Sequence, residues 1–142
     1  MTGTTEPLQV ALSAEHAAIY AYGVIGSRLT GDELELAQDA DRAHRDLRDT
    51  VADLVSAAGA TPRAAAAAYR LPKPVTDRAG ALALAVEIET KIAAVWRSTL
   101  GAGSDANRAT ALQALIDTAV RAAKWRAAAN PNANPCVPWP GR

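Results

Sequence analysis

The chain contains no phenylalanine, one cysteine, one methionine and six aromatic residues in all, three Trp and three Tyr. A single cysteine, Cys136, excludes an internal disulfide and fits a reducing compartment, so the expected location is cytoplasmic. No charge of either sign predominates: Lys plus Arg and Asp plus Glu number 15 each. That balance gives no electrostatic case for nucleic acid or an anionic membrane as partner. The N-terminal MTGTTEPLQV lacks a basic region followed by an apolar run, so no secretion signal is expected. The longest nearly apolar stretch, Ala17 to Gly26, is too short to cross a bilayer. Phosphate-binding glycine loops, nucleophile elbows and zinc-type cysteine sets are missing too.

What the chain has is alanine, 35 residues among 142. Alanine is the strongest helix former, and its small side chain lets helices approach closely. A length of 142 residues points to a single domain over 1–142. Four periodic segments follow. Helix 1 is expected from about Glu6 to Leu29, with Thr5 as cap and Gly31 after its end. Asp32 and Glu35 read as a capping box for helix 2, which Gly59 closes. Thr76 or Asp77 opens helix 3, which runs to about Leu100. Ser104 caps helix 4, which ends near Asn130. The tail, about 131–142, holds four prolines and is expected to lie extended on the surface.

Linker lengths set the topology. Helices 1 and 2, and helices 3 and 4, are joined by short turns, which makes each pair an antiparallel hairpin. Gly59 to Val75 is long. With a short turn of helix at Ala64–Tyr69 it reaches about 45 Å, enough to run the length of a bundle. The expected fold is all-α: a four-helix bundle with a long crossover between helices 2 and 3, which makes those two helices parallel.

Each of three helices carries one polar intruder in an otherwise apolar seam. In helix 1 the seam is Leu8, Leu12, Glu15, Ile19, Tyr22, Gly26 and Leu29. In helix 2 it is Ala37, Ala40, His44, Leu47, Val51, Leu54 and Ala58. In helix 3 it is Leu82, Val86, Glu89, Ala93, Trp96 and Leu100. Glu15, His44 and Glu89 fall near mid-helix and should meet. Asp41, three residues before His44, shares its face. The helix 4 stripe is read as Leu112, Ile116, Ala119 and Ala123, with Asp117, Arg121 and Lys124 facing water.

These residues resemble the ferritin-like superfamily. A carboxylate, then Asp41-Arg-Ala-His44, then a second carboxylate match the first three parts of its di-iron site. The wording AEHAAIYAYGVIG, AHRD, LPKPV and VWR is similar to an actinobacterial branch known only as a domain of unknown function. The resemblance implies a ferritin-like fold over Leu8 to about Ala129. The fourth part, Glu-x-x-His on helix 4, is absent: Asp117-Thr-Ala-Val120 stands there. The di-iron site is therefore degenerate, and two readings stay open. In the preferred one the protein is a non-catalytic binding or structural module, and Glu15, His44, Glu89, Arg45, Arg48 and Tyr22 form a buried metal-free network. In the other it is a metal-dependent oxidoreductase, in which Glu15, His44 and Glu89, with Asp41, hold one Fe or Mn ion. His16 reads as a surface or interface histidine and Trp96 as a core plug. Trp125 and Trp139 read as homodimer or partner contacts, or as covers for alanine faces.

Overall fold

The computed structural model describes residues 5–142. It contains four helices: α1 (Glu6–Gly26), α2 (Gly31–Ala57), α3 (Arg78–Ala102) and α4 (Asp105–Ala129). There are no strands among the described residues. The fold is an all-α four-helix bundle.

The helix ends show how local chemistry sets the boundaries. Asp77 caps α3, its side chain accepting from the Gly80 amide at 2.7 Å. Thr5 and Ser104 occupy the N-cap positions of α1 and α4, but neither side chain makes a capping bond. α1 ends three residues before the expected Leu29, where Ser27 Oγ donates to the Val24 carbonyl at 2.6 Å. The capping box expected at Asp32 and Glu35 does not form. Gly31 itself opens α2 at φ 58°, so Asp32 falls inside the first turn and favours the positive end of the helix dipole. The C-terminus of α2 is a Schellman turn: Gly59 at φ 83°, with its amide on the Ser56 carbonyl and the Ala60 amide on the Val55 carbonyl.

The order of the core gives the helix directions. One apolar cluster joins the end of α1 (Ala21–Leu29), the start of α2 (Ala37, Ala40), the start of α3 (Ala81–Ala85) and Trp125 near the end of α4. The other joins the opposite ends: Leu8–Ala18, Val51 and Val55, Ile92 and Trp96, Ala111 and Ala114. Hence α2 runs parallel to α3, as expected. α1 packs on α2 and α3, α3 packs on α4, and α2 approaches α4 least.

The crossover, residues 58–77, contains no helix, contrary to the turn expected at Ala64–Tyr69. Ala64–Ala68 are all exposed, so coiling would bury nothing, and an extended chain spans more length per residue. A stripe on α1 holds it down. Gln9 donates to the Thr61 carbonyl at 2.8 Å and accepts from the Arg63 amide at 2.9 Å. His16 Nε2 donates to the Arg63 carbonyl at 3.0 Å. Tyr20 packs against Tyr69 with the rings tilted by 55° and their centroids 5.6 Å apart. His16 thus clasps the crossover. At the far end Arg78 pairs with Glu33 at 2.7 Å, tying α3 to α2.

Candidate functional site

The three seam intruders meet. Glu15, His44 and Glu89 are fully buried between the two apolar clusters. His44 Nδ1 lies 2.5 Å from Glu15 Oε2, and His44 Nε2 lies 2.9 Å from Glu89 Oε1. A neutral imidazole carries one N–H and would turn its other lone pair against a carboxylate oxygen. Two ionised acids, one against each ring nitrogen, favour the doubly protonated imidazolium. The same conclusion follows from its acidity. Burial alone would lower the His44 pKa, but hydrogen bonds to Glu15 and Glu89 and their charges outweigh it, and the group is pushed from 6.5 up to about 9. Glu89 mirrors it. Burial would raise its pKa, yet the hydrogen bond and charge of His44, then Arg121 and Tyr22, hold it below the usual carboxylate range.

Each carboxylate is also held by an aromatic donor. Trp96 Nε1 donates to Glu15 Oε1 at 2.8 Å. The Tyr22 hydroxyl donates to Glu89 Oε1 at 2.6 Å and accepts from Trp125 Nε1 at 2.8 Å. Tyr22 also stacks on His44, with ring centroids 5.5 Å apart. Burial first, and then the negative charge of Glu89, push the Tyr22 phenol well above its ordinary range, so it stays protonated. Glu89 Oε2 is buried with no hydrogen-bond partner.

The fourth helix corrects the sequence reading. Its buried stripe is Ala111, Ala114, Thr118, Ala122 and Trp125, whereas Leu112, Ile116 and Val120 are about half exposed. The helix is rotated by about one residue, or 100°, from the reading that placed Leu112 and Ile116 inward. The inward pair at i, i+3 is consequently Thr118 and Arg121. Arg121 Nε donates to Glu89 Oε1 at 3.2 Å and its Nη2 to Thr118 Oγ1 at 3.4 Å, with the side chain only 14% exposed. Arg121 is the arginine of the network. Arg45 and Arg48 are not: Arg45 pairs with Asp41, and Arg48 with Asp49, each at 2.8 Å on the outer face of α2. Asp41 is spent on that surface pair and does not reach His44's acids. Trp125, read as a dimer or partner contact or as a cover for an alanine face, is a core residue. The spacing 111-114-118-122-125 carried the signal: starting the count from Trp125 rather than Leu112 selects the correct face.

As the side chains stand, the donor set is poorly arranged for a bound metal: each imidazole nitrogen faces a carboxylate oxygen, and the two carboxylates lie on opposite edges of the ring. The guanidinium of Arg121 takes cation space at Glu89. Among the described residues no three His, Cys, Asp or Glu side chains are grouped to hold a metal.

Residues 7–142 match the model of one family, a domain of unknown function, DUF4439. The chain belongs to that family. The chain is also similar to a solved structure, the crystal structure of a conserved hypothetical protein, rv2844, from Mycobacterium tuberculosis. It is 38% identical, with a TM-score of 0.84 over 87% of this chain and 95% of that one. No curated protein matches. No helix among the described residues of this DUF4439 chain is long and apolar enough to cross a membrane.

Proposed function

We propose that this DUF4439 protein is a non-catalytic, ferritin-like bundle of one domain. Its waist is held by an internal charge network where an ancestral relative carried metal. The observation that supports this is the double engagement of His44. Glu15 and Glu89 supply two negative charges, and imidazolium and Arg121 supply two positive ones. The tetrad is neutral without any ion, and Thr118 and Arg121 stand on α4 where a metal-binding relative needs an acid and a histidine. Such a core gives the bundle one register and leaves its work to its surfaces. The reading is supported by the burial of both acids, by the N–H and O–H donors that engage them, and by the phenol that stays protonated. The alternative, one iron or manganese ion held by Glu15, His44 and Glu89 for redox chemistry, requires a free imidazole nitrogen; the contact of both ring nitrogens with carboxylates supports the network instead.

Two measurements test the reading. Nitrogen-15 NMR at neutral pH should find both His44 ring nitrogens protonated and slow to exchange. Protein purified without a histidine tag should hold far less than one equivalent of iron, manganese or zinc, and added Mn(II) should leave its melting temperature unchanged. Near-stoichiometric metal that disappears in Glu15→Ala and Glu89→Ala would overturn the network in favour of the metalloenzyme.

A further inference from the structure

The second hairpin and the tail carry their charge unevenly. Thr90–Ala102 of α3 and the stretch from Thr118 to Arg142 together hold six cations and no acid, in a chain whose charges balance. Two of the six reach acids outside those stretches: Lys91 pairs with Glu87, and Arg121 with Glu89. Arg97 and Arg126 turn to the tail instead. Arg97 Nη1 donates to the Pro140 carbonyl at 3.2 Å. Arg126 donates to the Pro135 carbonyl at 3.4 Å and to Thr90 Oγ1 at 3.1 Å. Charge-assisted bonds to an anion are shorter, about 2.7–2.9 Å. These two guanidiniums are therefore held by long bonds to neutral oxygens. Arg142 lies over the Trp139 ring, 5.6 Å from its centroid.

Between the tail and the α3–α4 groove lies a small cavity of about 130 Å³. Its walls are apolar: Ala93, Ala119 and Ala122 from the helices, Val137 and Trp139 from the tail. Its polar groups are Thr90, Arg126 and Arg142, one hydroxyl and two guanidiniums, and no acidic side chain lines it. Gly141 sets the tail in place. At φ 81° it sits so close to α3 that an added Cβ would come within 2.7 Å of the Ala93 carbonyl oxygen. An apolar cavity of about 150 Å³ accepts benzene, so this one has room for a body of about that size.

We infer that the cavity under the tail binds a small organic anion, a carboxylate on an apolar body no larger than a benzene ring. The alanine, valine and tryptophan walls cover the body, and Arg126 and Arg142 meet the charge. A planar guanidinium matches a carboxylate with two parallel bonds, which the single oxygen of the Pro135 carbonyl does not offer. The site lies outside the network at the waist and stands independently of it.

Titration of the full chain with sodium benzoate, followed by nitrogen-15 NMR at the Trp139 indole N–H, tests it. The signal should shift and saturate with a Kd at or below about 1 mM. Benzyl alcohol has the same ring without the charge, and inorganic phosphate has charge without the ring. Each should bind at least about tenfold more weakly. Arg126→Gln should weaken benzoate by about tenfold or more. Because Arg126 also holds the tail, Ala119→Leu gives a separate reading: it fills the cavity, leaves every guanidinium in place and should abolish saturation. Arg45→Gln, on the outer face of α2, should change nothing. A Trp139 signal that benzoate fails to move or to saturate overturns the inference. So does benzyl alcohol or phosphate binding as tightly as benzoate, or benzoate binding that Arg126→Gln or Ala119→Leu leaves unchanged.

Discussion

The two seams that close this bundle differ in kind. The α1–α3 seam is tight, filled by Leu12, Leu82, Ile92 and the fully buried Trp96. The α2–α4 seam is loose, and opens into a groove of about 400 Å³ between Ala43, Asp46, Leu47 and Thr50 on one side and Gln113, Asp117 and Arg121 on the other. The network draws on both. The tight seam supplies the acids, Glu15 and Glu89, and the aromatic Trp96 and Tyr22 that orient them. The loose seam supplies the cations, His44 and Arg121. The acids thereby gain rigid partners that fix their direction, and the long flexible cation enters where there is room for it.

Removing a rigid acid should cost most. Glu89→Ala leaves the Arg121 guanidinium without its carboxylate and one buried N–H of His44 unpaired, and should lower unfolding free energy by about 3–5 kcal/mol in urea denaturation. Titration comes next. The folded pKa of His44 is raised, so its stabilisation is complete below about 6.5 and is lost as pH rises through about 9. That shift corresponds to about 3 kcal/mol. Glu89 is depressed, so its share is present above its ordinary 4.5 and is lost as pH falls below that. Stability measured against pH should therefore form a dome with its shoulder between 6.5 and 9, and His44→Gln should remove that alkaline shoulder. On the loose side, Arg121→Met should cost less, about 1–2 kcal/mol, because Glu89 keeps His44 and Tyr22. Trp125→Phe, which removes one donor to Tyr22, should cost about 1 kcal/mol. Asp41→Ala, at an exposed pair, should stay within about 0.5 kcal/mol. An Arg121→Met loss as large as that of Glu89→Ala would erase the contrast between the seams.

The same contrast explains what was legible in the sequence. On α1, α2 and α3 a single polar residue interrupts an apolar seam, and Glu15, His44, Glu89 and Tyr22 are found by counting. The parallel course of α2 and α3 follows from linker length. α4 misleads because both of its sides are apolar and its larger residues, Leu112 and Ile116, lie on the outer one. Arg121, between Asp117 and Lys124, then reads as solvated. Arg45 and Arg48 are near His44 in sequence but radiate outward from α2, where Asp41 and Asp49 meet them. The helix expected at Ala64–Tyr69 rested on alanine propensity, a weak preference beside the lack of anything to bury.

The distribution of charge between the hairpins bears on how the halves come together. Glu15 and His44 belong to the first hairpin, Glu89 and Arg121 to the second, so each brings one negative and one positive group. Neither half has to strip water from a lone ion before it meets the other. Their encounter should show little sensitivity to ionic strength, and the crossover that tethers them, rather than attraction at a distance, should govern how quickly they find each other.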